Sequence, residues 1–202
     1  SKSRVTPSCP YYHRCGGCNF QHIAYPEQIA IKQDILRSNL ERIAKIDYPH
    51  PVEVISSPPF RYRSRAILKI EEGRVGFYEK ESHDVVEFET CLLLPQIVED
   101  FVKELRDGPL IKNVKKGEIF ILSNGRELSA LLKTDDASAR LPGEKPQPAA
   151  VAGRSTYLGD KQTLSFTIGE FVYSFSPANF IQANLFTLEA MTRLVQENLS
   201  KD

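Results

Sequence analysis

Hydrophobic positions change period several times along the chain, and each change marks a predicted element. Between Pro26 and Ala44, Ile29, Leu36, Leu40 and Ile43 recur at spacings of seven, four and three, which predicts a helix with one apolar stripe. Pro26 suits the first turn, where its missing N–H has no partner to lose. From Phe60 to Glu89 the pattern becomes alternation, in FRYRSRAILKI, RVGFYE and DVVEFE, connected by Glu72-Gly73 and by Lys80 to His83. That predicts an antiparallel meander. Helical period returns over Pro95 to Arg106, with Ile97, Val98, Phe101 and Leu105 on one face and Gly108-Pro109 as the stop.

EIFILS and ELSALLK flank Asn124-Gly125-Arg126 and predict a hairpin, and LSFTI with FVYSF around Gly169-Glu170 predicts another. SPANFIQAN then leads into a helix over Leu185 to Leu199, striped by Leu185, Leu188, Thr192, Val195 and Leu199. Thr134 to Ala152 is polar, proline-rich and aperiodic, as expected of an exposed loop or a domain seam. The fold class is therefore α+β with a β-rich antiparallel centre.

Composition narrows the function classes. With 202 residues and 41% hydrophobic content the chain can bury a core of one or two domains. Lys plus Arg total 26 and Asp plus Glu total 26, so no overall positive field marks a nucleic-acid partner and any such contact must be local. No stretch approaches the roughly 18 apolar residues of a membrane span, and SKSRVTPSC carries no signal-peptide core, so a cytoplasmic protein without membrane contact is expected.

In a reducing compartment four cysteines point to metal rather than disulfides. Cys9, Cys15 and Cys18 lie in SCPYYHRCGGCNFQH with the spacing C-x5-C-x2-C, and Cys91 follows the last strand of the predicted meander. Gly16 and Gly17 are expected to let the turn curl so that both flanking sulfurs reach one centre. A tetrathiolate can hold zinc or an iron-sulfur cluster. Structural zinc usually takes two short pairs, whereas three ligands together and one apart favour a cluster. His13 and His22 flank the run and read as surface groups or as partners of the ligands rather than ligands. A redox CGGC would need a strand before Cys15, and none is predicted.

In FRYRSRAILK, Arg61, Arg63, Arg65 and Lys69 share one parity, so a strand places them on one face as a positive stripe. Such a stripe needs an RNA backbone or carboxylates from a neighbouring strand, with Glu87 and Glu89 as candidates. Lys112, Lys115 and Lys116 form a weaker patch that reads as solvated surface.

C-x5-CGGC-x2-QH, YR-x-R, GFYEKESHDVVEFETC and SPANFIQAN occur in this order over nearly the whole chain, which thereby resembles the RNA (uracil-5-)methyltransferases of the iron-sulfur-containing, 23S rRNA type. The resemblance implies that Cys9, Cys15, Cys18 and Cys91 ligate a four-iron, four-sulfur (4Fe-4S) cluster. It implies that Gln182 contacts S-adenosylmethionine, that Phe180 lies near the target base, and that the partner is 23S rRNA. The family reaction begins with attack of a cysteine thiolate on the uracil ring, after which the adjacent carbon takes the methyl group and a base removes its proton. All four cysteines are committed to the cluster, so no catalytic residue is assigned in this chain.

On that basis the chain is expected to be a fragment. It lacks a glycine-rich S-adenosylmethionine loop and the small RNA-binding barrel that precedes the first cysteine in this family. The expected organisation is a cluster-binding segment over 1–26, a helix and linker over 27–57, a β-rich central domain over 58–179, and the leading edge of a methyltransferase domain over 180–202. The first and last helices would then lack a partner surface and pack on each other, self-associate or order poorly. Rival readings are a stand-alone zinc-stabilised RNA-binding module and a small electron-transfer protein.

Overall fold

The structure, a computed structural model, describes residues 2–135 and 154–199. The aperiodic stretch predicted as a loop falls outside them from residue 136 to Ala152. In chain order the elements are α1 (Tyr25–Arg42), β1 (Arg65–Glu71), β2 (Arg74–Tyr78), β3 (Val85–Val86), α2 (Gln96–Asp107), β4 (Lys116–Ser123), β5 (Leu128–Thr134), β6 (Arg154–Leu158), β7 (Leu164–Ile168), β8 (Phe171–Phe175) and α3 (Leu185–Leu199). Six strands form one sheet in the order β3-β2-β1-β4-β5-β6, and β7 pairs with β8 alone. Every pairing is antiparallel.

Register turns the sequence alternation into two chemically different faces. Ala66 pairs with Ile121 and Leu68 with Ile119, while Ile119 and Ile121 pair onward with Leu132 and Ala130. One face is thus a continuous aliphatic ladder. Val98, Val102 and Leu105 of α2 cover it, joined by Ile111 and Val114, in one buried cluster. Each such side chain contributes about 1.5–3 kcal/mol by leaving water. The other parity brings up Arg65, Ile67, Lys69, Glu118, Phe120 and Lys133. Leu122, also of this parity, is buried in a second cluster with Leu164, Phe166 and Ile181, so the β7–β8 hairpin and the chain before α3 cover that end of the sheet.

The predicted basic strand is shorter than its alternation suggests. Phe60 to Ser64 lie outside any strand, and Arg61 has a left-handed φ of 59°. The backbone N–H groups of Arg61 and Arg63 donate instead to the carbonyls of Leu92 and Leu93, at 2.8 and 2.9 Å. Contacts with a distant turn therefore override local period. β3 is likewise only two residues long, and β6 was not predicted, because RSTYL has too little alternation to announce itself without its pairing to β5.

Neither α1 nor α3 contains a buried residue. Polar bonds hold α1 to the segment that follows it. Gln33 donates to the Val52 carbonyl at 2.7 Å, Arg37 to that of His50 at 3.0 Å and Tyr25 to that of Ser57 at 2.5 Å. On α3, Leu185 and Leu188 pack against the second cluster, whereas Val195 and Leu199 of the predicted stripe are exposed. No helix among the described residues is long and apolar enough to cross a membrane.

Two substitutions test this packing. Ile119→Ala is expected to cost about 2–5 kcal/mol, read as a lower urea midpoint, whereas Ile43→Ala, at a 78% exposed position, should change stability by no more than about 0.5 kcal/mol. A Cβ at Gly76 would lie 2.0 Å from the Val86 carbonyl oxygen, so Gly76→Ala should force β3 off β2 and cost about 1–3 kcal/mol in the same measurement.

Candidate functional site

The turn that carries Cys15 and Cys18 is bonded to the end of β2 as if it were a further strand. Cys15 bridges Glu79, Gly16 donates its N–H to the Tyr78 carbonyl at 2.9 Å, and Lys80 donates to that of Arg14 at 2.8 Å. Gly16 does not adopt the left-handed conformation expected of a curling turn. It is needed because a Cβ there would sit 2.9 Å from the Tyr78 oxygen, so close backbone approach is the reason for this glycine. Tyr12, 6% exposed, locks the turn from inside, its hydroxyl donating to the Asn19 carbonyl at 2.6 Å and lying 2.5 Å from His22 Nδ1. His22 is thereby engaged by Tyr12 through Nδ1. Lys80 donates to the Tyr12 carbonyl at 2.7 Å, with its ammonium 4.2 Å from the Tyr12 ring centroid.

Cys91 reaches the same place through β3 and a tight turn in which Leu94 N–H donates to the Cys91 carbonyl at 2.9 Å. A buried carboxylate organises that turn. Glu99 of α2, 4% exposed, accepts the Cys91 N–H at 2.5 Å and pairs with the Arg61 guanidinium at 2.8 Å. Arg61 also donates to the Leu94 carbonyl at 2.7 Å. Sequence reasoning missed Glu99. Its one signal is an acidic residue inside the apolar run of QIVEDFV.

The four cysteines are free and half-buried. Burial pushes the Cys15 and Cys18 thiols up, and the thiols themselves are neighbours: Cys9 and Cys15 both raise Cys18, and Cys9 raises Cys15. Cys91 is pushed up to about 11, chiefly by burial and slightly by Cys15. Opposing this, Gly17 N–H donates to Cys15 Sγ at 3.3 Å, the Gln21 amide donates to Cys18 Sγ at 3.3 Å, and Leu93 and Leu94 N–H groups serve Cys91. The Arg63 guanidinium favours the thiolate at Cys15, Cys18 and Cys91 alike. Four soft sulfur donors, three of them with N–H groups aimed at them, suit an iron-sulfur cluster or zinc in chemistry. In arrangement, no group of three or more His, Cys, Asp or Glu side chains among the described residues is set to hold a metal ion.

The residues predicted to bind RNA do not form one stripe. Arg61 is committed to Glu99 and Leu94. Arg63 lies over Phe77, 5.9 Å from its centroid. Arg65 and Lys69 do share a face of β1, and Lys69 is paired with Glu118 of β4 rather than with the predicted Glu87 or Glu89. Arg65 Nε is buried without a partner among the described residues. The SPANFIQAN segment is joined to this region, since Ser64 N–H donates to the Ala183 carbonyl at 2.7 Å and Arg63 bridges Asn184. Phe180 in that segment is 75% exposed. Gln182 is exposed, and its backbone carbonyl accepts from Ser64 Oγ at 3.4 Å.

No family model matches the chain. An uncharacterized RNA methyltransferase of Aquifex aeolicus is 33% identical over 203 residues, covering 91% of this chain and 47% of its own length. A 23S rRNA (uracil(1939)-C(5))-methyltransferase of Dichelobacter nodosus is 31% identical over 96% of this chain and 49% of its own length. The chain thus spans about half the length of these curated relatives. In fold it is similar to the crystal structure of Pyrococcus abyssi tRNA (uracil-54, C5)-methyltransferase in complex with S-adenosyl-L-homocysteine, with a TM-score of 0.64 and 20% identity over 91% of this chain and 51% of that one. Ordered sequence motifs, relatives spread over nearly the whole chain and a shared fold agree, and the chain belongs to the RNA (uracil-5-)methyltransferase family.

Proposed function

We propose that this chain is the RNA-recognition and cysteine-bearing part of an enzyme that makes 5-methyluridine in rRNA with S-adenosylmethionine as methyl donor. In this reading Cys9, Cys15, Cys18 and Cys91 would be the residues that hold a 4Fe-4S cluster. The observation that carries this reading is the convergence of Cys91, delivered by β3 and the Glu99 turn, on thiols bonded to the end of β2. A thiolate cluster there would tie the N-terminal turn covalently to the sheet. The chain's own contribution is to supply N–H donors to the sulfurs and the Arg63 charge beside them.

In the reaction a thiolate adds to the uracil ring, C5 takes the methyl group from the sulfonium, a base removes the C5 proton, and elimination restores the thiolate. That thiolate must be free and activated. Four thiols spent on a cluster leave none, so the nucleophile is supplied from outside these 202 residues. Phe180, exposed on the segment joined to Arg63 and Ser64, stacks on the displaced base, and Gln182 contacts S-adenosylmethionine. The exposed apolar residues of α3 face the methyl-transfer portion of the enzyme or, without it, a second chain.

Three measurements test this. Anaerobic loading with iron and sulfide should give about four of each per chain with a broad visible absorption, and Cys91→Ser should lose most of both. Zinc uptake with no visible band would instead favour the stand-alone zinc module. Methyl-transfer assays on rRNA should show no turnover by this chain, and turnover would overturn the assignment of the nucleophile elsewhere.

The third concerns pH. Without metal, the folded chain keeps the Cys91 proton up to about 11, whereas the unfolded chain releases it near 9.0. Stability is therefore fully present below 9 and falls as pH rises through 11, by about 2–3 kcal/mol, and Cys91→Ser should remove this part of the dependence in urea titrations.

A further inference from the structure

Between the cysteine turn, α1, residues 54–63 and the start of α3 lies a cleft of about 580 Å³, within the size range of sites for small organic ligands. Its lining is chemically one-sided. No lining residue is Asp or Glu, although 26 of the chain's 202 residues are. Lys32 and Arg63 bring two positive charges to it. Among the described residues neither is within ion-pair distance of a carboxylate, in contrast to Arg61, Lys69 and Lys161, which all are.

Rings accompany the charges. The Lys32 ammonium lies 5.9 Å from the Phe20 centroid, and Phe20, Phe60 and Tyr62 all line the cleft. Tyr25 also lines it, but its hydroxyl is engaged by the Ser57 carbonyl. Cys18 and Gly17 form part of the wall, so whatever fills the cleft touches the cysteine turn. Two cations without a carboxylate partner, together with flat side chains, suit an anion that carries a flat ring. A sulfonium cofactor, itself cationic, finds no carboxylate here.

We infer that this cleft binds a nucleotide of single-stranded RNA, with Lys32 and Arg63 on its phosphates and the base against Tyr62. The cysteine turn is then part of the RNA-reading surface as well as a clamp on the sheet. The choice of RNA over a free nucleotide rests on the function proposed above; the choice of a nucleotide rests on the lining.

The test is fluorescence polarisation of the cluster-loaded chain with a labelled, uridine-rich single-stranded RNA of about twelve nucleotides, across a salt series. Lys32→Ala should weaken binding about 3- to 10-fold and make its salt dependence shallower. Tyr62→Ala should weaken it about 5-fold or more, and Tyr62→Phe, which keeps the ring, should bind like the unaltered chain. Lys112→Ala, the same loss of charge at an exposed site outside the cleft, should bind unchanged. Binding by Lys32→Ala and Tyr62→Ala as tight as that of the unaltered chain overturns the cleft while leaving the proposed function standing. Absence of RNA binding by the unaltered chain overturns both. Displacement of the RNA by uridine monophosphate at equal concentration would make the occupant a free nucleotide and overturn the assignment to RNA.

Discussion

Backbone bonding between residues 14–16 and residues 78–80 is the contact on which the cysteine region depends. Gly16 N–H to Tyr78, Lys80 N–H to Arg14 and the Cys15–Glu79 bridge make the turn an extension of β2. β2 is in turn paired with β1 on one side and β3 on the other, and β3 leads to Cys91. Cys15 and Cys91, at the two ends of this path, are therefore positioned by one hydrogen-bonded sheet, whose aliphatic face α2 covers. Backbone groups left unbonded in such a half-buried turn would cost about as much as a lost hydrogen bond each, so the stitching also satisfies the turn itself.

Charge is divided as sharply as polarity. Glu99 is buried on α2, where an unpaired carboxylate would be costly, and it answers that cost by accepting the Cys91 N–H and pairing with Arg61. Lys69 is balanced by Glu118 on the neighbouring strand. Near the cysteines Lys80 acts on Cys15 alone, whereas the Arg63 charge acts on three of the four thiols and faces a cleft without carboxylates. A run of basic residues that looks uniform in sequence thus separates into structural and available charges. Cross-strand neighbours and burial make the distinction, because each cation is valued by the carboxylates it can reach.

The two outer helices obey a different rule from α2. Their side chains bury nothing completely, and α1 is kept in place by amide, guanidinium and hydroxyl donors to carbonyls of residues 50–57. Their amphipathic stripes are genuine in sequence yet only partly matched by an apolar surface among the described residues, since Leu185 and Leu188 of α3 reach the second cluster while Val195 and Leu199 stay exposed. Periodicity reports that a helix has a face to bury; it does not report where the matching face is.

Sequence alone determined the elements with strong period or strong turn chemistry. The helix after Pro95, the β4–β5 and β7–β8 hairpins and the antiparallel class were all legible, because side-chain period and turn residues act locally. The motifs, read in order, were enough to name the family. Tertiary structure decided what local pattern cannot carry. It ended the basic strand at Arg65 by giving Arg61 and Arg63 backbone partners beyond Cys91, created β6 out of pairing rather than period, and explained Gly16 by an approach to Tyr78. It also made Glu99 a keystone and emptied one cleft of carboxylates, for both depend on which distant residues meet, and only the folded chain sets those meetings.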